Sequence, residues 1–396
     1  MIRKILFISW DGPQTTYLES LFFPIFNQIQ KHGAYEFHVM QFTWADKEKK
    51  EVIEASAKKA EIKYTSEKVY RKPLTSAGSL FTIFKGIKIL KHYINFHKID
   101  ILMPRSSLPA MMVNRLNIKG LKVIFDADGM PLMERIEFSG LPISSIQYKI
   151  LKKEESKLIN SANAVIVRSN EAINMHTKQH HLKTKINFFV VLNGRDQSKF
   201  IFNKKDRERI RKDLGYQENE KVFVYCGSLD GNKYDLKLMI KFFIAYKIKN
   251  SRGKLLILSS SYINNEDLPA NYIEDINIME VKPYEVPFYL SAADIALGFI
   301  KPTRSMKAVS AIKLGEYLLM GLPVIFSKGI GNSGKILNNL TTAYLYDYKN
   351  PNSIKEATIF AENIKGYNLD TLRDIGINYF SLEKSSESYL KVLDQL

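Results

Sequence analysis

The sequence has a single cysteine, Cys226, among 396 residues. One cysteine excludes an internal disulfide framework and any zinc site built from several cysteines. Scarcity of cysteine in a chain of this length is typical of reducing compartments. We therefore expect a cytoplasmic protein.

Long hydrophobic runs are also missing. The stretch MIRKILFISWDGP has only about six apolar residues before Asp11 and Gly12, too few for a signal-peptide core or a spanning helix. No other stretch of the sequence reaches membrane-spanning length. Hydrophobic residues still make up 45% of the chain and charged residues 25%, the proportions of a globular protein with a sizeable core.

Acidic residues are scarce in one half of the chain. The net charge is +17. Residues 1–200 contain 31 Lys and Arg but only 18 Asp and Glu, whereas residues 201–396 contain 27 Lys and Arg and 23 Asp and Glu. Such an asymmetry favours contact with a polyanion, either nucleic acid, an acidic polymer or an anionic lipid surface. A solvated surface with a basic composition is an equally good interpretation.

Short apolar runs alternate with amphipathic segments of helical length throughout the chain. This alternation predicts parallel sheets covered by helices on both faces, hence two Rossmann-like α/β domains. The predicted strands are KILFIS, EFHVMQF, DILMP, KVIFD, AVIVRS and NFFVVLN in the first half, and KVFVYCG, KLLILSS, INIMEV, IALGFI, PVIFS and AYLYDY in the second.

The stretch NGRDQSKFIFNKKDRERIRKDLG contains a turn signal followed by a charged helix that restarts the pattern. We therefore place a domain boundary near residue 200. The predicted domains are 1–200 and 201–380, followed by a C-terminal helix, 381–396, that can return to the first domain.

One basic segment, SLFTIFKGIKILKHYINFHK at residues 79–98, has helical apolar spacing. Its predicted apolar stripe includes Leu80, Ile83, Phe84, Ile87, Leu90 and Ile94, with Lys85, Lys88 and His92 on another face. A basic, aromatic-bearing amphipathic helix can lie on an anionic membrane. The more frequent alternative is a helix packed on a sheet with its lysines in water.

Ligands of open parallel sheets gather at the carboxyl ends of strands, so the loops there are candidate sites. VFVYCGSLDGNKYDL is typical of a strand, a glycine-containing loop and a helix. Gly227 and Gly231 allow close backbone approach to a phosphate, Lys233 supplies a charge, and the following helix would direct its amides at the ligand. An ordinary strand-to-helix turn is the alternative.

A second segment, SAIKLGEYLLMGLPVIFSKGIGN, predicts a helix with Ser310 as its N-cap. We expect the helix to end at Met320, because Gly321 suits the left-handed conformation beyond a helix and proline follows. Lys313 and Glu316 lie three residues apart on one face, which indicates either a surface ion pair or two groups that bind a ligand.

These residues resemble the SPxKxxEYLAxGxPVI signature of retaining glycosyltransferases of family 4. NGRDQSKF resembles NGVDxxxF, VYCGSLDGNKYDL resembles xYxGRLxxxKG, VPFYLSAADIALGFI resembles VPxYLxxADxxLxP, and VIFDADGMPLMER resembles the xxFDxRGxxxEE loop of capsule-type and cell-wall-type members. The resemblance spans nearly the whole chain. It implies the GT-B fold, in which two Rossmann-like doubly wound domains face each other across a cleft.

The resemblance also implies roles for donor-binding residues. Glu316 matches the glutamate that binds the ribose of a sugar nucleotide, and Lys233 matches the lysine that binds its diphosphate. Ser310 and Lys313 belong to the same donor-binding segment. The loop residues Gly227 and Ser228 also match it, although Ser228 replaces the usual arginine. Ala308 stands where many members have another glutamate.

Candidate acceptor-side residues follow strands of the first domain. Asp11, Asp126 and Asp128 are candidate general bases because they stand at predicted strand ends. Asp126 could instead cap a turn, and in this family the departing phosphate is often drawn as the proton acceptor. Gly12 and Arg105 are further acceptor-side candidates.

The resemblance therefore implies a metal-independent hexosyltransferase without a cofactor that moves a sugar from a UDP- or GDP-type donor to a glycan or lipid-linked acceptor. It implies a role in bacterial surface polysaccharide or glycoconjugate synthesis. The basic first domain would then contact the inner face of the plasma membrane as a peripheral protein. The alternatives are a sugar-nucleotide epimerase of the same fold and a non-catalytic polyanion binder. No nucleic-acid module is recognisable in the sequence, so we expect no nucleic-acid partner.

Overall fold

The computed structural model describes residues 2–72, 74–180, 186–229 and 231–396. The chain forms two compact units, Met1–Leu192 with Ser385–Leu396, and Asn193–Lys384. Each unit has one parallel sheet with its own buried core.

The first unit contains a seven-stranded parallel sheet in the order β3-β2-β1-β4-β5-β6-β7. Its strands are β1 Arg3–Asp11, β2 Tyr35–Thr43, β3 Lys63–Lys68, β4 Ile101–Pro104, β5 Lys122–Asp128, β6 Ala164–Val167 and β7 Phe188–Val190. Its helices are α1 Phe23–Gln30, α2 Lys47–Lys59, α3 Thr75–His97, α4 Ser107–Val113, α5 Pro131–Ser139, α6 Ile146–Ser161 and α7 Asn170–His180, with a π-helical turn at Leu18–Phe22.

The second unit contains a six-stranded parallel sheet in the order β10-β9-β8-β11-β12-β13. Its strands are β8 Lys221–Cys226, β9 Gly253–Leu258, β10 Ile276–Met279, β11 Ile295–Gly298, β12 Val324–Ser327 and β13 Ala343–Tyr346. Its helices are α8 Lys204–Asp213, α9 Leu236–Lys249, α10 Val286–Ser291, α11 Ile312–Leu319, α12 Ser333–Leu337, α13 Ser353–Asn363 and α14 Leu369–Phe380. Short 3₁₀ segments occupy Asn265–Asp267, Ala270–Asp275 and Ser305–Ala308.

The last helix, α15 (Leu382–Leu393), ends in the first unit. Tyr389 is buried there against Phe26, at 6.3 Å between ring centroids, and Tyr35 Oη donates to Asp394 at 2.9 Å. The C-terminal segment therefore contributes to the core of the first unit. Of the helices in the described ranges, none has both the length and the apolarity to cross a bilayer.

The prediction of two Rossmann-like parallel-sheet domains is confirmed, and all twelve predicted strands are present. The sequence analysis missed β3, whose sequence is KYTSEK. It lies at the sheet edge and pairs only with β2, with no fully buried residue. A half-buried edge strand of this kind has no continuous apolar run.

Helix α3 buries only half of the predicted apolar stripe, namely Ile83, Leu90 and Ile94. Its buried residues are Gly78, Thr82, Ile83, Gly86, Leu90 and Ile94. Gly86 lies so close to the ring of Phe42 that a Cβ would be 2.9 Å from it. Because small residues bring the helix close to the sheet at this face, Leu80 and Phe84 are exposed instead of buried.

Helix α11 carries two of the predicted site residues and is held by α14 through two glycines. A Cβ on Gly315 would lie 2.8 Å from Phe380, and one on Gly376 would lie 2.6 Å from the backbone nitrogen of Leu319. Arg373 of α14 donates to the carbonyl of Leu319 at the end of α11. The position of α11 therefore depends on the absence of side chains at this contact.

We expect Gly376→Ala to push α11 and α14 apart at a cost of about 1–3 kcal/mol, because the added methyl meets backbone. Hydrogen exchange of the α11 and α14 amides measures this opening directly. The matched control is Gly334→Ala in α12, where the added Cβ meets nothing within 4 Å. Unchanged exchange in Gly376→Ala would contradict the close contact.

Candidate functional site

The candidate residues of each unit lie where strand order reverses. In the second unit, successive strands are added outward from β8 to β10, and the next strand, β11, lies on the other side of β8. In the first unit, the strand order reverses in the same way between β1 and β4. Crevices at such switch points, beside the carboxyl ends of strands, are the usual ligand sites of open α/β sheets.

In the second unit, β8 ends in a backbone conformation that suits glycine. Gly227 has φ +133, and its amide donates to the carbonyl of Leu258 at 2.9 Å. A Cβ at Gly227 would lie 3.1 Å from Nζ of Lys313. The glycine therefore lets the backbone pass close to a buried ammonium group.

Lys313 lies between two aromatic rings. Its Nζ donates to Tyr225 Oη at 2.8 Å and stands 3.6 Å from the ring centroid of Tyr234 and 4.2 Å from that of Tyr225. Burial lowers the pKa of Lys313 to about 7, and the charge of nearby Lys233 also lowers it. In the part of the chain that the structure describes, no ion pair joins Lys313 to a carboxylate.

Glu316, one turn further along α11, is held by a residue that the sequence analysis did not select. Arg195 Nη2 lies 2.6 Å from Glu316 Oε1, and both side chains are largely buried. Arg195 belongs to the NGRDQSKF segment, where the family signature has valine instead of arginine. This departure was visible in the sequence, but its partner lies far away along the chain.

The prediction that Ser310 is the N-cap of α11 is wrong. Ala311 occupies that position without a side-chain hydrogen bond. Ser310 Oγ instead accepts from the backbone amide of Asn193 at 3.2 Å, and the Asn193 amide group donates to the carbonyl of Ser310 at 3.0 Å. Asn193 and Arg195 thus fix both the entry and the first turn of α11. The predicted left-handed position at Gly321 is confirmed, with φ +69.

The loop after β8 also differs from expectation. Helix α9 begins only at Leu236, and its cap Asp235 accepts from the amide of Leu238 at 3.1 Å, so its first turn already has a carboxylate acceptor. Lys233 instead lies on a segment that pairs beside β11, through the carbonyl of Lys233 and the amide of Lys301. Ser228 is exposed, with its Oγ 3.3 Å from Ser261 Oγ.

The first unit brings its candidates into one charged cluster. Arg105 Nη2 donates to Asp128 Oδ2 at 2.7 Å, and its Nη1 lies 3.8 Å from Asp11 Oδ1. Burial alone would lower the pKa of Arg105, but the carboxylates of Asp128 and Asp11 raise it above its ordinary value. Gly12 is buried beside this cluster, and a Cβ there would be 2.5 Å from the ring of Trp44.

Asp126 is fully buried and bound by Arg168, a residue that the sequence analysis missed. Arg168 Nη2 donates to both Asp126 oxygens, at 2.8 and 2.6 Å, and its Nε donates to Asp128 at 3.2 Å. Asp126 Oδ1 also accepts from the amide of Asp128 at 3.0 Å. These contacts favour the turn-capping alternative for Asp126 over the role of general base. Asp128 is half-buried, with φ +60.

Neither unit has a preassembled metal cage in the described ranges, where no group of three or more His, Cys, Asp and Glu is placed to hold an ion. The charges of both units are instead fixed by guanidinium and ammonium groups. The second unit therefore offers cations and a glycine-lined backbone to an anion, and the first offers carboxylates and a guanidinium to hydrogen-bonding groups.

No family model and no curated protein matches this sequence. Solved structures do match over the whole chain. A glycosyltransferase from Rickettsia africae has a TM-score of 0.73 at 15% identity, covering 100% of this chain and 98% of its own. HepE from Anabaena, in complex with UDP, has a TM-score of 0.69 at 14% identity, and the match covers 99% of this chain and 100% of the HepE chain. A UDP-GlcNAc 2-epimerase from Neisseria meningitidis bound to UDP-GlcNAc has a TM-score of 0.60 at 14% identity, and the match covers 99% of this chain and 100% of the epimerase chain.

At these identities the comparisons establish the fold alone. The two parallel-sheet α/β units, of seven and six strands, match the GT-B fold of glycosyltransferases. The fold implied by the sequence motifs is thereby confirmed. The same fold also occurs in the matching epimerase, so the fold does not decide the reaction.

The buried pair between Arg168 and Asp126 yields a stability prediction. Asp126→Asn leaves the guanidinium partly uncompensated, and we expect a loss of about 3–5 kcal/mol. Both tryptophans, Trp10 and Trp44, lie in the first unit, so urea unfolding followed by their fluorescence reports this unit.

The double variant Asp126→Leu with Arg168→Met removes both charges and should recover most of that loss. Asp128→Asn, at a half-buried position, is the milder control. Native-like unfolding of Asp126→Asn would contradict a structural role for Asp126.

Proposed function

We propose that the chain is a nucleotide-sugar glycosyltransferase that transfers a hexose from a UDP- or GDP-type donor to an acceptor hydroxyl with retention of configuration. The observation that carries the proposal is the buried ammonium of Lys313, which lies at the Gly227 backbone and has no carboxylate partner among the described residues. A buried cation in a glycine-lined loop is suited to a diphosphate. The motif resemblance independently assigns the same segment to the donor.

In this proposal the donor is held by charges that are already in place. Glu316 accepts hydrogen bonds from the ribose hydroxyls, with Arg195 fixing the carboxylate from the other side. Lys233, Lys313 and backbone amides near Gly227 stabilise the charge that develops on the leaving diphosphate. Ser310 belongs to the same segment, and Ser228 removes one cationic contact that the resembled family usually makes with the diphosphate. These fixed cations serve where other transferases use a metal ion, and we propose no cofactor.

We propose that the charged cluster of the first unit binds the acceptor. Asp11 and Asp128 are suited to sugar hydroxyls, and Arg105 fixes both carboxylates. Asp128 is the candidate base because it is half-buried, whereas Asp126 is fully buried. Proton transfer to the departing phosphate is the alternative. We propose a glycan or lipid-linked acceptor in surface polysaccharide or glycoconjugate synthesis, at the inner face of the plasma membrane.

The second candidate is an epimerase, favoured by the structural match to UDP-GlcNAc 2-epimerase. Epimerisation requires acidic residues around the sugar. Ala308 stands where many transferases of the resembled family have a glutamate, so this position does not separate the two candidates. The motif resemblance, which spans nearly the whole chain, is to transferases. We therefore rank the transferase first.

The proposal is tested by titrating the protein with UDP, GDP and their sugars by calorimetry and by screening the sugars for slow hydrolysis or epimerisation. We expect Lys233→Ala and Glu316→Ala each to weaken donor use more than tenfold, that is, by more than about 1.4 kcal/mol. Glu316→Gln keeps the side-chain shape and should lose nearly as much.

Lys249→Ala and Glu208→Ala are matched controls, because both residues are exposed. Lys249 ends α9, and therefore lies at the opposite edge of the sheet from the carboxyl ends of the strands. Donor use that is unchanged in both site variants, or lowered equally by the controls, would contradict the site. Epimerised sugar without transfer or hydrolysis would favour the second candidate.

A further inference from the structure

The exposed face of α3 is apolar at its start. Phe81 and Phe84 are 57% and 61% exposed, and Leu74 and Leu80 beside them are exposed as well. The opposite stripe of α3 is already buried on the sheet, so these side chains are not needed for the core of the first unit. A contiguous exposed apolar patch with aromatic residues marks an interaction surface.

A second exposed apolar cluster lies where α6 begins. Ile143, Ile146 and Ile150 are 61%, 75% and 40% exposed, and the last two lie one helical turn apart on α6. The inner face of the same helix is buried through Leu151, Leu158 and Ile159. This helix therefore also has an apolar group outside the stripe that it uses for packing.

Both clusters lie on the same face of the first sheet. The crossovers from β3 to β4 and from β5 to β6 run in the same direction along the sheet, and right-handed crossovers in one direction place their helices on one face. Helix α4 packs against both α3 and α6, and so lies between them. Helices α3 and α6 each end within a few residues of the start of the next parallel strand, β4 and β6, so the first turns of both helices lie toward the carboxyl edge of the sheet.

The chain around both clusters is basic and lacks acidic residues. Residues 68–98 contain seven Lys and Arg, and residues 140–153 contain three Lys, with no Asp or Glu in either segment. Lys85, Lys88, Lys149 and Lys153 are all exposed. Apolar side chains surrounded by lysines are complementary to an anionic bilayer, which takes up the apolar groups below its negative headgroups.

We propose that this apolar–basic face, formed by Leu74, Leu80, Phe81, Phe84, Ile143, Ile146 and Ile150 with Lys85, Lys88, Lys149 and Lys153, docks on an anionic lipid bilayer. A second copy of the chain fits this face less well, because a symmetric contact would bring the two sets of lysines together. Docking itself does not depend on the donor site. Its purpose, the delivery of a lipid-linked acceptor to the carboxyl edge with Arg105 and Asp128, rests on the proposed function.

The test is co-sedimentation of the full chain with vesicles of phosphatidylcholine alone or with about one third phosphatidylglycerol. We expect binding to the anionic vesicles only, weakening as salt increases. Phe81→Ser/Phe84→Ser, Ile146→Ser/Ile150→Ser and Lys85→Glu/Lys88→Glu should each lower binding by at least about tenfold. All these side chains are exposed, so thermal unfolding should be unchanged.

The matched controls lie on α2, on the opposite face of the sheet. Val52→Ser and Lys58→Glu/Lys59→Glu make the same kinds of change at exposed positions and should leave vesicle binding unchanged. Equal losses in the controls, or no binding of the native chain to anionic vesicles, would overturn the proposal. So would a lipid-independent dimer that is lost in Phe81→Ser/Phe84→Ser, because a second copy would then cover the face.

UDP binding measured on the same variants separates the two proposals. Vesicle binding that is lost while UDP binding is retained supports docking by this face. Vesicle binding in a chain that binds no nucleotide would support docking and refute the transferase.

Discussion

The ammonium group of Lys313 is buried between the rings of Tyr225 and Tyr234, and much of the second unit serves to keep it there. Helix α11 presents it, and α14 holds α11 through two glycine contacts. Gly227 leaves room for it at the end of β8. Asn193 fixes the chain at the start of the helix. Burying a cation without a carboxylate costs free energy, so a fold that keeps one has a use for it.

The free-energy cost of burying this ammonium group lowers its pKa. Burial lowers the pKa of Lys313 to about 7, so the free protein holds this proton only up to neutral pH. The unfolded chain keeps the proton up to the ordinary lysine pKa, and stability therefore increases as pH rises above about 7. A bound diphosphate would reverse the shift, because a nearby anion favours the charged ammonium. Donor binding and proton uptake are then two aspects of one interaction.

The two units differ in how their buried charges are compensated. In the first, Arg168 and Asp126 neutralise each other out of water, and this pair supports a half-buried carboxylate, Asp128, and a guanidinium, Arg105. In the second, Arg195 compensates Glu316, whereas no ion pair with a carboxylate of the described residues compensates Lys313. The first arrangement suits neutral hydroxyl groups and the second suits an anion. Under the proposed function, the first unit would bind the acceptor and the second the activated sugar.

The sequence predicted the sheets because buried parallel strands are continuous apolar runs, and it missed β3 because a polar edge strand has no such run. It selected Lys313 and Glu316 as candidates through their motif. It missed Arg168 and Arg195 because their partners lie 42 and 121 positions away along the chain, and local spacing says nothing about such pairs. The exposed Phe84 was placed in one stripe with the buried Ile83 and Leu90, because helical periodicity does not reveal which apolar side chains meet the sheet.

The most direct measurement is an NMR titration of the Lys313 side-chain amine, assigned with Lys313→Arg, in the free protein and with saturating UDP. Our expectation is a pKa near 7 in the free protein and a clear increase with UDP, accompanied by proton uptake at mildly alkaline pH. An ordinary lysine pKa that does not respond to any nucleotide diphosphate would contradict it.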